Sequence, residues 1–302
     1  MTLSRQTWTG VACALAGVAA VAAISRRRKT ERLLHVETSR AFNRSSALLA
    51  CSVLTDSAME HYRGAFSNVA MYVPPAVATF SLLAGFHGGA DRTPSTHAVR
   101  HAIYWSAALT GLAGTGFHLY NVMKRPGGWS WQNLFYAAPL GAPTALLLSG
   151  ALGAAAERLR NQPAHEPRLL GMPAGKALGL LSGIGLAGTA GEAALLHFRG
   201  SFQHKAMYAP VSVPPAASAL LLHASLAKPQ PRWLARAMLQ LSWLVGWVGT
   251  ALHVRGVARH HGGWRNWSQN LFNGPPVPAP PSFSALALAG LAALRLREGE
   301  RQ

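Results

Sequence analysis

The stretch "HYRGAFSNVAMY", residues 61–72, returns as "HFRGSFQHKAMY", residues 197–208. Each copy closes an apolar run. The copies share a histidine, an arginine two residues later, a glycine, a phenylalanine and the closing Ala-Met-Tyr. Upstream of each histidine stands an acid, Asp56 in the first copy and Glu192 in the second. Glu60 has no acidic counterpart, since Leu196 occupies that place.

Outward from the motif the duplication continues. Some fifty residues on, "GLAGTGFH" and "GWVGTALH" both read G-x-x-G-T-x-x-H, ending at His118 and His253. "GGWSWQNLF" and "GGWRNWSQNLF" follow, then proline-rich entries to a further apolar run. The Gly-Gly pairs read as turns. Trp129, Trp131, Trp264 and Trp267 suit an interfacial aromatic belt. Each copy has a Pro-Pro pair, Pro74-Pro75 and Pro214-Pro215, expected to start a helix at its first turn.

The medium in which this unit folds follows from composition. Half of the 302 residues are apolar and only 13% are charged, about half the share of a soluble domain. A net charge of +18 could signal a nucleic-acid binder. Here the bases sit in short clusters between long apolar runs, as in multispanning membrane proteins, so nucleic acid is not expected as a partner. The runs cover roughly residues 8–24, 45–61, 74–89, 99–122, 135–156, 177–197, 213–227, 235–257 and 277–294. Their Ala, Leu and Gly content reads as helix, because a bilayer offers no partner to an unpaired backbone group.

The expected fold is an all-α integral membrane protein of about nine transmembrane helices, one N-terminal anchor plus two parallel four-helix repeats. The boundaries are 1–44 for the anchor and its basic cytoplasmic linker, 45–160 for the first repeat, 161–176 for a cytoplasmic linker and 177–302 for the second repeat. The first run resembles a signal peptide in length. Its heavy positive charge, "SRRRK", follows the run, which suits an uncleaved anchor with its N-terminus outside. In that orientation 19 of the 28 Lys and Arg residues lie inside, with the C-terminus. The expected setting is the inner membrane of a bacterium, N-terminus periplasmic and C-terminus cytoplasmic.

An even number of helices per repeat puts both copies the same way through the bilayer. The shared polar residues then gather near the outer face. Thirteen histidines occur, and only His61, His118, His197 and His253 match between copies. Three chemistries follow. In the first, pairs of imidazoles hold a b-type haem. Arg63 and Arg199 would meet its carboxylates. Gly114 and Gly249, four residues before His118 and His253, would leave an open strip for the porphyrin. Such a protein would pass electrons between a periplasmic redox partner and quinone, as an oxidoreductase subunit in the lipid bilayer, alone or as an oligomer. In the second, Asp56 with His61 and His118, and Glu192 with His197 and His253, hold iron or zinc. Acid and histidine stand five apart, off a shared helix face, so the acids could instead orient the histidines. In the third, intramembrane acids and arginines carry an anion or protons without a cofactor. Cys13 and Cys51, both in apolar runs, read as buried small hydrophobes; a thiolate metal site or disulfide framework is excluded by their number and spacing. No G-x-S-x-G or phosphate-binding loop occurs.

Overall fold

The computed structural model describes residues 5–136, 139–162 and 167–300, with side chains from Leu34 onward. Among the described residues the chain is all-α apart from a two-residue antiparallel pairing of Arg168–Leu169 with Met172–Pro173. The first helix, α1, runs unbroken from Arg5 to Arg63, 59 residues. A linker was expected between anchor and first repeat, and the backbone there is helical instead. Arg, Lys and Glu are good helix formers, so a run of charge does not interrupt a helix. Side chains of the anchor run fall outside those described.

Eight of the other helices are α2 (Val73–Ala90), α3 (Ala98–Met123), α4 (Trp131–Tyr136), α5 (Gly141–Arg160), α6 (Ala174–Arg199), α7 (Ala209–Leu226), α8 (Trp233–Arg259) and α9 (Trp267–Asn273). The last is α10, Pro281–Gly299. The core lies among α1, α5, α6 and α10, where Phe42, Leu49, Leu152, Leu159, Leu178 and Leu286 pack together. Small residues bring these helices close, and hydroxyls then reach across. Ser46 donates to the Ser149 carbonyl at 2.8 Å and Ser39 to that of Ala156 at 2.8 Å. In the later half Ser284 donates to the Trp243 carbonyl at 2.7 Å. Such interhelical bonds suit helices packed where water is scarce.

Among the described residues, four segments are long and apolar enough to cross a membrane: Val69–Ala90, Ala174–Arg199, Lys205–Leu226 and Trp233–Arg259. Outward-facing Phe80, Leu83, Phe86, Leu109, Leu112, Phe117, Trp243 and Trp247 present an apolar exterior. An exterior of that kind marks a membrane protein. The central α5 and α10 face protein more than lipid. Ala, Ser and Gly fill much of their buried faces, so their overall hydropathy need not be high.

The Pro-Pro pairs are not equivalent. Pro74 and Pro75 open α2, as expected. Helix α7 begins earlier, at Ala209, and carries Pro214 and Pro215 inside. Its opening proline is Pro210, which stands 136 residues after Pro74, as Tyr208 stands after Tyr72.

Candidate functional site

The duplicated motif folds into the same turn twice. Helices α1 and α6 end, and the next residues adopt left-handed φ: Ala65 and Phe66 at 53° and 45°, Ser201 and Phe202 at 55° and 45°. Two consecutive non-glycine residues in that region are unusual and need support from their surroundings. The Phe66 N–H donates to the His61 carbonyl at 2.9 Å, and the Phe202 N–H to that of His197 at 3.0 Å. Each phenylalanine stacks on the closing tyrosine, with ring centroids 4.3 Å apart for Phe66–Tyr72 and 4.8 Å for Phe202–Tyr208. The methionine side chain folds over the motif glycine. A Cβ at Gly64 would come within 2.9 Å of Met71 Cε, and one at Gly200 within 3.1 Å of Met207 Cε.

This turn holds the histidine. His61 Nδ1 lies 2.5 Å from the Met71 carbonyl oxygen, and His197 Nδ1 lies 2.8 Å from that of Met207. A carbonyl can only accept, so each Nδ1 carries the proton. The other two histidines repeat the arrangement with different partners. His118 Nδ1 is 2.7 Å from the Pro139 carbonyl, and His253 Nδ1 is 2.7 Å from that of Pro276. In the neutral ring, all four Nε2 atoms therefore carry the free lone pair. Histidines that bind metals are commonly oriented in this way.

The glycines of G-x-x-G-T-x-x-H serve that geometry. They do not lie as an open strip. A Cβ on Gly111 would overlap the α5 backbone at Leu147, and one on Gly246 the α10 backbone at Ser284. One on Gly114 would press on Pro143, and one on Gly249 on Pro280. The glycines thus let α5 and α10 approach α3 and α8, where Pro139 and Pro276 offer their carbonyls. Gly111→Val and Gly246→Val should each cost about 1–3 kcal/mol by overpacking. Denaturant unfolding in detergent would measure it, and a cost within 0.5 kcal/mol would count against close packing.

The acids come together from opposite halves. Asp56 on α1 lies within electrostatic reach of Glu192 on α6 and of Glu60. Glu192 Oε1 accepts from the Gly141 N–H at 2.8 Å, in the first turn of α5. Ser52, one turn before Asp56, donates to the Pro278 carbonyl just before α10. The halves also meet through rings. Tyr62 stacks on Phe272 at 5.5 Å, and Phe198 meets Phe135 edge-on at 6.0 Å. His253 lies within electrostatic reach of His197. Arg63 pairs with Glu60 at 2.9 Å, both half-exposed. Arg199 sits over the Phe135 ring at 5.5 Å. Neither arginine takes part in fixing its histidine. No family model, no curated protein and no solved structure matches the chain.

The neighbouring segments serve as scaffold. Asn133 of "QNLF" donates to the Pro126 and Gly128 carbonyls, and Asn270 to those of His261 and Gly263. Each asparagine pins its Gly-Gly loop. His97 and His101, at helical spacing, have separate roles: His97 caps α3 and His101 accepts from Trp105.

A second polar centre lies at the other end of the first half, among residues that read as flanking charge. Arg100 forks onto Glu157 at 2.9 and 3.0 Å and pairs with Asp91 at 2.8 Å. Arg160 stands 3.5 Å from Glu157 and 3.8 Å from Asp91. Asn43 and the His97 N–H complete Glu157's bonds, and Tyr104 donates to Asn43. Two cations thus face two anions, and Glu157 is fully buried. The detectable signal was Glu157 itself, an acid inside "GALGAAAERLR".

Burial would raise the Asp91 carboxyl. Bonds from the Thr93 N–H and hydroxyl and from Arg100, with the charge of Arg160, outweigh it and hold the group well below the usual range. Its stabilisation is therefore complete above the unfolded value, about 4, and is lost only as pH falls through the lower folded value. Melting between pH 7 and 5 should show no loss from this group. An Asp91→Asn protein should melt lower throughout that range, and equal melting would refute the assignment.

Proposed function

We propose that the chain is a bacterial inner-membrane electron-transfer protein that holds b-type haem through the Nε2 atoms of His61, His118, His197 and His253. The observation that carries this reading is the bond common to all four: Nδ1–H to a main-chain carbonyl, with Nε2 left free. Haem needs only two imidazoles from neighbouring helices. The reach between His197 and His253 favours that pairing in the second half. Arg63 and Arg199, which take no part in fixing the histidines, suit the propionates.

The charge distribution favours a cytoplasmic C-terminus. Nine alternating crossings would need the chain to reverse between residues 24 and 45, where α1 is one unbroken helix. The proposed arrangement therefore keeps the two repeats and drops the separate anchor crossing. In it the two halves form parallel four-helix units and the four histidines lie toward the periplasm. Electrons would pass between a periplasmic redox protein and quinone. A three-ligand iron or zinc site is less favoured: among the described residues no group of three or more His, Cys, Asp or Glu side chains is gathered to hold a metal.

The test is the dithionite-reduced minus air-oxidised visible spectrum of the purified protein, expressed with haem supply. Sharp Soret and alpha bands are expected. A flat spectrum from folded protein would overturn the reading.

A further inference from the structure

Helices α1, α8 and α10 enclose a groove of about 170 Å³ at the end of the molecule away from the four histidines. Its lining divides by chemistry. Leu288, Leu291 and Ala292 of α10, with Ala41 of α1, make an apolar floor, and Arg236, Gln240 and Arg295 make a polar mouth. Positions 288, 291, 292 and 295 fall on one helical face, so the floor runs lengthwise along α10. Seven residues separate Leu288 from Arg295, about 10 Å of helix. The groove thus grades from leucine to arginine over the distance between upper acyl chain and headgroup.

Depth and charge agree with this. Arg236 lies in the first turn of α8, beside the outward-facing Trp233, an aromatic that suits the membrane interface. Arg236 donates one Nη to Glu298 at 2.8 Å and stays 37% exposed. Arg295 is exposed. Among the described residues two guanidiniums line the mouth and Glu298 pairs with one of them, which leaves positive charge facing the groove. Basic pockets between transmembrane helices on the cytoplasmic side are suited to anionic headgroups. Planar guanidinium also matches phosphate oxygens better than a point charge does.

The geometry points to a binding site for an anionic phospholipid, with its phosphodiester between Arg236 and Arg295 and its upper acyl carbons on Leu288 and Leu291. The inference rests on the membrane-spanning reading and is independent of haem, so a flat visible spectrum leaves it standing. The test is native mass spectrometry of the full chain in detergent, titrated with phosphatidylglycerol or phosphatidylcholine. One phosphatidylglycerol should bind in preference to phosphatidylcholine. Arg295→Gln, which breaks no ion pair among the described residues, should weaken that binding about fivefold, the share of one arginine near a charged headgroup. Arg92→Gln, an exposed base of the α2–α3 loop, should leave it unchanged. Equal binding of both lipids, no effect of Arg295→Gln, or an equal loss in Arg92→Gln would each overturn the site. Displacement by millimolar inorganic phosphate would make it a free-anion site and overturn the lipid.

Discussion

Glu157→Ala should lower unfolding free energy by roughly 3–5 kcal/mol, the cost of removing one partner from a buried ion pair. Glu157 accepts from Arg100, Asn43 and the His97 N–H, and no water reaches it. Without it, two buried guanidiniums share the single charge of Asp91. The fork on Glu157 also ties α5 to α3, so the loss acts between helices. Arg100→Leu combined with Glu157→Leu removes one cation and one anion and leaves Arg160 with Asp91. That double variant should be much less destabilised than the sum of the two singles. Reversible unfolding in mixed detergents would measure the cycle. A single-variant cost below 1 kcal/mol would refute the cluster as an energetic centre.

The cluster could not be read from sequence for a physical reason. Arg100 and Glu157 are 57 residues apart, and each flanks an apolar run. Charge at a run's end ordinarily marks the membrane interface, so Arg100 counted as positive-inside charge. Only packing reveals that α2, α3 and α5 fold these ends inward. The four shared histidines were legible because duplication singles out four of thirteen. Their partners were not legible, because a main-chain carbonyl carries no residue signature. The duplicated Met71 and Met207 supply two of those carbonyls, and Pro139 and Pro276 the other two. The glycines were legible as small residues on the histidine's face. Whether a strip is open or covered depends on the path of α5 and α10, which spacing does not encode. The helical continuity of α1 was missed because a basic run marks a membrane boundary but does not break a helix.

His253→Ala and His197→Ala should each abolish the same part, about half, of the reduced-minus-oxidised alpha band, as expected where either loss removes one of two axial imidazoles. The double variant should lose no more than either single. Groups that act as one unit are non-additive, and two histidines on one haem form such a unit. His61→Ala and His118→Ala should remove the remaining half in the same way. The Nδ1 bond supplies an independent check. Gly246→Val pushes α10, and with it the Pro276 carbonyl, away from His253 while leaving the imidazole in place. It should shift the band or the midpoint potential without abolishing haem, because outer partners tune a ligand. If His253→Ala and His61→Ala lose the same half, the pairing runs between the two halves of the chain. If all four alanine variants keep the full band, the histidines are not ligands, and the shared carbonyl bond serves only to close the ends of α1, α3, α6 and α8.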